Sequence, residues 1–246
     1  MPISTERYGM QDHHAQASAS ELSIVTVECE GWQGVAKLQL QPDGKPALAY
    51  LSGELDPRTA AWCNGREHGR VYPRPEADRL ASLTGTAFVR LLIGLMTGRD
   101  DPRHAGLGYR GGIPTPTDPQ LRASVSHSGS MVCAAVSRGA RVGIDVEPDH
   151  RAPELRSVLP SLQAVPAEDM TDRQLVAWWT EREAVYKAMG VGIAGFFSPE
   201  ALLIRGDRWS MGQAEGIVTT DEVVPDTQGR NHIMAVACTS IPTPPQ

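Results

Sequence analysis

Two long amphipathic segments, each accompanied by strand-like sequence, limit most strongly what this chain can fold into. In residues 75–98 (PEADRLASLTGTAFVRLLIGLMTG), apolar side chains recur at intervals of three and four residues, which predicts a helix with one buried face. Pro75 suits the first turn of this helix, and Gly98 is placed to end it. Residues 171–190 (TDRQLVAWWTEREAVYKAMG) predict a second helix that begins at a Thr cap and ends at a Gly.

Strand-like segments are grouped around both helices. They are SIVTVECEGWQGVAKLQL before the first helix, SVSHSG, MVCAAVS and VGIDVE before the second, and ALLIRG, EGIVTT and HIMAVACTS after it. Such grouping predicts an α+β fold and not the regular alternation of a parallel sheet. We expect two similar halves with pseudo-twofold symmetry, residues 21–115 and 116–246, each with a small, mainly antiparallel sheet on its long helix. Residues 1–20 are expected to be a disordered tail, and residues 99–120, rich in Gly, Pro and Asp, a loop between the halves.

Composition excludes several function classes. A net charge of −6 argues against a general nucleic-acid binder, which is normally basic. The four cysteines form no C-x-x-C pair, so free thiols in a reducing compartment are expected instead of a zinc site. The N-terminal residues lack the apolar region of a secretory signal, and no apolar run approaches the length of a membrane span. These features predict a cytoplasmic protein without a membrane partner.

Two carboxylates share one face of a predicted strand. In VGIDVE, successive side chains point to opposite sides, so Asp145 and Glu147 face away from the apolar side. A hard divalent cation such as Mg²⁺ suits two neighbouring carboxylates, and it completes its coordination with water and phosphate oxygens. Ordinary surface acids at a strand end are the alternative, and spacing alone leaves both interpretations open.

The second predicted helix carries charged residues on one face. Glu183 and Lys187 are four residues apart, as are Trp179 and Glu183, and residues at that spacing lie on the same side of a helix. The pair is either part of a site or a surface salt bridge that contributes only ~0.2–0.5 kcal/mol. Arg182 adds a neighbouring cation.

The run Ser126-His127-Ser128 is compact and polar. Adjacent strand residues point apart, and there is no G-x-S-x-G motif, so a serine-hydrolase triad is not predicted. His127 as a donor to a phosphate is the better functional interpretation. A buried histidine with its hydrogen bonds satisfied is the alternative.

In combination these motifs are far more specific. S-x-S-H-S-G, then G-I-D-V-E, then W-x-x-R-E-A-x-x-K-A-x-G, in that order, resemble the 4′-phosphopantetheinyl transferase superfamily, in its monomeric surfactin-synthetase-activating type. The resemblance is strongest over residues 124–196 and weaker over the first helix and towards residue 240. It implies the 4′-phosphopantetheinyl transferase fold, a monomer, and transfer of the phosphopantetheine arm of coenzyme A to a serine of an acyl or peptidyl carrier protein.

The resemblance also implies roles for single residues. Asp145, Glu147 and Glu183 match the Mg²⁺ ligands, and Glu183 also matches the general base. Lys187 matches a lysine that contacts the phosphates of coenzyme A and acts in catalysis. The residues that the resemblance or their position assigns to binding coenzyme A are Ser82, Ser126, His127, Arg66, Arg70, Arg110 and Arg182.

Four of these assignments depart from the family's pattern or rest on position. Arg182 stands where the family usually has Lys, so a planar guanidinium with several N–H donors replaces a compact ammonium group. Arg110 is the candidate for a lysine that usually precedes the serine–histidine motif. Arg66, Arg70 and Arg74 precede the first helix, where they either bind the 3′-phosphate or remain solvated loop charges.

Two other function classes stay open at the level of sequence. One is a Mg²⁺-dependent hydrolase of nucleotide pyrophosphates, in which water replaces the serine. The other is a non-catalytic module that binds carrier proteins, although four intact residues of the motifs, Asp145, Glu147, Glu183 and Lys187, argue against it.

Overall fold

The computed structural model describes residues 7–8, 22–29, 32–41, 46–99, 101–162, 169–198, 200–223 and 226–240. Its α-helices are α1 (Gly65–Val71), α2 (Glu76–Thr97), α3 (Ala152–Val158) and α4 (Asp172–Met189). Its strands are β1 (Arg7–Tyr8), β2 (Leu22–Cys29), β3 (Trp32–Leu40), β4 (Pro46–Glu54), β5 (Leu107–Arg110), β6 (Ile113–Pro116), β7 (Leu121–Ser128), β8 (Met131–Arg138), β9 (Val142–Pro148), β10 (Leu203–Arg205), β11 (Arg208–Met211), β12 (Ala214–Val223) and β13 (His232–Thr239). Apart from β1, the expected tail over residues 1–20 lies outside the described residues.

Both predicted long helices are confirmed, together with most of their end signals. Helix α2 begins after Pro75, which is the cap and not the first helical residue, and it ends at Gly98 in the left-handed conformation (φ 67°). Helix α4 begins with a capping box in which the Thr171 side chain accepts from the Gln174 backbone, and it ends at Gly190 (φ 77°). Glycine adopts this backbone conformation without the steric cost that a Cβ adds.

The described strands form two larger antiparallel sheets and one hairpin. The strand order is β1-β2-β3-β4-β8-β7 in the first sheet and β10-β11-β12-β13-β9 in the second, and β5 pairs with β6. Helix α2 packs on one face of the first sheet, and α4 packs on one face of the second. The other faces of the two sheets pack on each other through a third apolar cluster. The protein is therefore an α+β fold with the layers α2, first sheet, second sheet and α4.

The sheets divide the chain later than the predicted boundary at residues 115 and 116. Strands β7 and β8 follow that boundary, yet they pair with β4 in the first sheet. The chain reaches the second sheet only at β9, which pairs with β13 and not with β8. The segment 99–120 is also more ordered than predicted, because the β5–β6 hairpin and a 3₁₀ turn (Pro102–His104) interrupt it.

Helix α2 is the core helix of the first sheet. In the described part of the chain it is the one helix whose length and composition would allow it to cross a membrane, so the expectation that no segment reaches that length was wrong. However, 78% of its most apolar window is buried inside the protein, which is typical of a core helix. The thiols of Cys63, Cys133 and Cys238 are free, as predicted, while the side chain of Cys29 lies outside the described part.

Candidate active site

The edge strands of the two sheets, β7 and β9, are joined by a row of serines. Alternate residues of β7 point towards β9, and each makes one hydrogen bond across the gap. Ser124 Oγ accepts from the Ile144 backbone (3.2 Å), Ser126 Oγ donates to Asp145 (2.6 Å) and Ser128 Oγ donates to Glu147 (2.7 Å). The period of two along a strand therefore aligns the serine motif with the acidic motif.

Three carboxylates converge beside this row, and we call them the acid cluster: Asp145, Glu147 and Glu183. One oxygen of each lies within 4.8 Å of the others. Asp145 and Glu147 are only 1% and 4% exposed. Like charges this close repel each other strongly where water is excluded, so the cluster needs positive charge near it.

Lys187 supplies part of that charge. Its Nζ lies 2.6 Å from Asp145 Oδ1, 2.8 Å from Ser126 Oγ and 3.6 Å from Glu183 Oε1. Burial acts to lower the pKa of Lys187, but the charges of Asp145 and Glu183 outweigh it, so the pKa is raised. Lys187 is therefore held as a cation within the acid cluster.

Glu183 is oriented by its own helix. Trp179 Nε1, one turn earlier, donates to Glu183 Oε2 at 2.9 Å. Burial raises the pKa of Glu183 and the charge of Asp145 raises it further, while Lys187, the Trp179 hydrogen bond and Arg151 oppose the rise. The raised pKa makes this carboxylate a better proton acceptor than an ordinary exposed Glu.

Glu147 has a second cation of its own. Arg151, from the 3₁₀ turn Asp149–Arg151 that follows β9, forms an ion pair with Glu147 Oε1 through Nη1. Ser128 Oγ donates a hydrogen bond to the other oxygen, Oε2. Three carboxylates thus face two cations, which leaves one negative charge when all five groups are ionised.

A cleft of about 400 Å³ adjoins the acid cluster, with Lys187 in its wall. It lies between α2 and the end of α4, and the β5–β6 hairpin forms another wall. Its polar lining includes Arg70, Arg74, Ser82, Thr86, Tyr109, His127 and Lys187. This volume is within the range of small-molecule sites, ~300–1,000 Å³.

The arginines of the cleft are held in place by neighbouring groups. Arg74 Nη1 donates to Ser82 Oγ at 3.1 Å. The Arg70 guanidinium lies 3.8 Å from the ring centre of Tyr109, whose hydroxyl makes a short hydrogen bond with Thr86. The structure therefore brings cations and hydroxyls together in the cleft, as a phosphate site requires.

The predicted site residues fall into two groups. Asp145, Glu147, Glu183, Lys187 and Ser126 meet at the acid cluster, and Arg70, Ser82 and His127 lie in the cleft. Arg66, Arg110 and Arg182 are not among the described residues that line it.

Arg66 is exposed on α1, and Arg110 is exposed at the end of β5. Arg182 stacks on the Trp178 ring at 4.1 Å. None of the three lines the cleft or belongs to the acid cluster.

The donor set fits a hard divalent cation. All three side chains offer carboxylate oxygens, which are the ligands that Mg²⁺ prefers. Asp145 Oδ2 is buried and has no hydrogen-bond partner among the described residues. A buried, unsatisfied carboxylate oxygen is unfavourable by itself, and a metal ion would satisfy it.

Three residues of the site had no role assigned from the sequence. Trp179 packs in the core and also donates to Glu183. Ser128 and Arg151 had no assigned role, although Ser128 continues the alternation of Ser126 and Arg151 is four residues after Glu147. Comparison with known proteins adds no assignment, since no protein-family model and no curated protein matches the chain.

Proposed function

We propose that the protein transfers the 4′-phosphopantetheine arm of coenzyme A to a serine of an acyl or peptidyl carrier protein. The observation that carries this proposal is the convergence of three carboxylates and Lys187 beside a cleft lined by arginines. The two sheets, each with one long helix and with the cleft at their meeting edges, are compatible with the 4′-phosphopantetheinyl transferase fold. In this proposal the protein acts as a cytoplasmic monomer.

The cleft and the acid cluster divide the binding of coenzyme A between them. Arg74, Ser82 and His127 bind the 3′-phosphate, because a cation and hydroxyl and imidazole donors are all directed into the cleft. Lys187 binds the pyrophosphate, since it lies both in the wall of the cleft and against Asp145. Asp145, Glu147 and Glu183 would hold Mg²⁺, which would supply further positive charge for the pyrophosphate.

The chemical step needs a base and a cation, and the chain has both next to each other. Glu183 takes the proton of the carrier serine, directly or through one water. The serine oxygen forms a bond to the β-phosphorus while the bond from that phosphorus to the bridging oxygen breaks. Adenosine 3′,5′-bisphosphate leaves with the electron pair, and Lys187 stabilises the negative charge that develops on the phosphoryl oxygens.

The test is the mass of an apo carrier protein after incubation with the enzyme, coenzyme A and Mg²⁺. We expect one phosphopantetheine group to be added, and Asp145→Asn to abolish the addition. Asp221→Asn is the matched control, because Asp221 is also paired with a lysine, Lys37 at 2.8 Å, but is outside the acid cluster and the cleft lining.

Two results would contradict the proposal in different ways. Coenzyme A cleaved to free phosphopantetheine, with the carrier mass unchanged, would identify a pyrophosphate hydrolase. Intact coenzyme A together with a bound but unmodified carrier would identify a binding module.

A further inference from the structure

Both carboxylate oxygens of Glu147, in the acid cluster, have close partners. Oε2 accepts from Ser128 at 2.7 Å, and Oε1 forms the ion pair with Arg151. Asp145, in contrast, keeps Oδ2 without a partner among the described residues. A cation that enters the cluster therefore finds Asp145 available and Glu147 already paired.

The guanidinium of Arg151 has a second acceptor within reach. Its Nε lies 3.6 Å from Glu154 Oε2, one helical turn further on. The Glu154 side chain is 80% exposed, whereas that of Glu147 is 5% exposed. Arg151 itself is 33% exposed, so its side chain has room to move between a buried and a solvated partner.

A guanidinium and a divalent cation compete for the same carboxylate. Glu147 is too buried to be left charged and unpaired, which is strongly unfavourable in a protein interior. In the structure, Arg151 supplies the positive charge that pairs with Glu147. When a metal binds, the two cations repel each other across a short, poorly screened distance, and Glu154 offers the displaced guanidinium a nearby anion.

We propose that Arg151 is a positioning residue that exchanges between Glu147 and Glu154, and that this exchange sets the metal affinity of the acid cluster. The inference rests on the metal dependence of the proposed function, but not on the identity of the reaction. It explains why Glu147, a carboxylate of the cluster, is paired with an arginine four residues further along the chain.

The experiment measures binding of Mg²⁺ alone, by isothermal titration calorimetry, to the full chain without coenzyme A or carrier. Arg151→Gln removes the competing cation and should lower the Kd for Mg²⁺ about tenfold, which corresponds to ~1.4 kcal/mol. Arg151→Lys keeps the competing charge and should stay near wild type. Glu154→Gln removes the second acceptor and should raise the Kd. Arg156→Gln is the control, since Arg156 lies on α3 directly after the turn that carries Arg151 but pairs with Asp172 at 2.8 Å.

Thermal unfolding provides a second readout that a purely structural arginine would not move. Arg151→Gln should lower the Tm of the metal-free protein, because Glu147 loses its partner, and it should increase the rise in Tm that Mg²⁺ causes. Equal losses of Tm with and without Mg²⁺, together with an unchanged or higher Kd, would show that Arg151 only supports the fold.

The remaining outcomes also decide the matter. If Arg151→Gln does not fold, Glu154→Gln decides. An unchanged Kd for Mg²⁺ in that variant overturns the proposed exchange of Arg151 between the two glutamates, and a raised Kd supports it. If neither wild type nor Arg151→Gln binds Mg²⁺, the inference is wrong. Failure of carrier modification with normal Mg²⁺ binding would overturn the proposed reaction and leave this inference standing.

Discussion

At the scale of single residues, Glu183 combines a raised pKa with a fixed orientation. Trp179 holds one oxygen, and the other is turned towards Lys187. Burial and the charge of Asp145 favour the protonated carboxyl, so Glu183 accepts a proton more readily than a solvated Glu. An orienting donor and a raised pKa together are what a general base requires.

Glu183→Gln keeps the size of this side chain and one carbonyl oxygen but cannot accept a proton. We expect kcat for phosphopantetheine transfer to fall by ~10²–10⁴, the usual contribution of general-base catalysis. Mg²⁺-dependent binding of coenzyme A should weaken far less, because Asp145 and Glu147 remain. Glu181→Gln is the matched control on the same helix, since Glu181 accepts from Thr220 at the surface. A near wild-type rate for Glu183→Gln would exclude Glu183 as the base.

Position in the fold, and not the sequence motif, decides which arginines line the cleft. Arg74 lies in the cleft, bonded to Ser82, whereas Arg182 stacks on Trp178. Burial lowers the pKa of Arg182 to about 10, which still leaves it charged at neutral pH. The resemblance assigned Arg182 to coenzyme A, whereas under the proposed function the position of Arg74 in the cleft favours Arg74.

Kinetic constants for Arg74→Ala and Arg182→Ala compare these two assignments. Arg74→Ala should raise the KM for coenzyme A about tenfold or more, since a hydrogen bond from a charged group contributes ~1.5–3 kcal/mol. Arg182→Ala should leave KM unchanged and alter only the stability, by ~0.5–2 kcal/mol for the lost cation–π contact. The reverse pattern would return Arg182 to the coenzyme A site.

At the scale of elements, the site depends on how closely β9 approaches α4. Gly143 is the contact point, because a Cβ at this position would overlap the backbone of Ala184 and Ala188 and lie 2.9 Å from Lys187 Cβ. The missing side chain lets the helix lie directly against the strand. Lys187 can then reach Asp145, two residues along β9 from Gly143.

Gly143→Ala should therefore separate α4 from β9. We expect the free energy of unfolding to fall by ~1–3 kcal/mol through overpacking, and Mg²⁺ affinity to fall as well because Glu183 moves away from Asp145. Gly216→Ala is the matched control, since a Cβ there would overlap the Cys238 carbonyl in the second sheet, away from the acid cluster. Equal stability losses with weaker Mg²⁺ binding only in Gly143→Ala would support this role, whereas unchanged Mg²⁺ binding in both would refute it.

The elements that the sequence predicted well are those whose signals are local. Helix α4 has its cap at Thr171 and its glycine stop at Gly190, and a window of about twenty residues contains both. The face shared by Asp145 and Glu147 also follows from strand alternation alone.

Pairing between distant segments leaves no comparable signal in the sequence. Nothing in MVCAAVS shows that β8 pairs with β4 and not with β9, because both of its faces are apolar and buried. The short strands β5 and β6 were not predicted, because Gly and Pro in their segments indicate a loop. The contact between Arg151 and Glu147 depends on the 3₁₀ turn after β9, which was not predicted from the sequence.

At the scale of the whole molecule, strand β8 makes the two predicted halves inseparable. Its residues Val132, Ala134 and Val136 pack towards α2, and Met131, Cys133 and Ala135 pack towards the second sheet. All six are at most 3% exposed. A cut at the predicted boundary leaves β8 with the second half and removes β4 and α2, which cover one edge and one face of it.

The fragment 116–246, produced alone, should therefore not fold cooperatively. Loss of β4 exposes the backbone hydrogen-bonding groups of β8, and loss of α2 exposes an apolar face that water disfavours and that promotes aggregation. Circular dichroism during heating should show no sharp transition for this fragment, while co-expression with residues 1–115 should restore one, because the missing strand and helix return. A sharp transition for 116–246 alone would mean that β8 finds other partners, and that the second sheet with α4 carries enough apolar contact to fold as an independent domain.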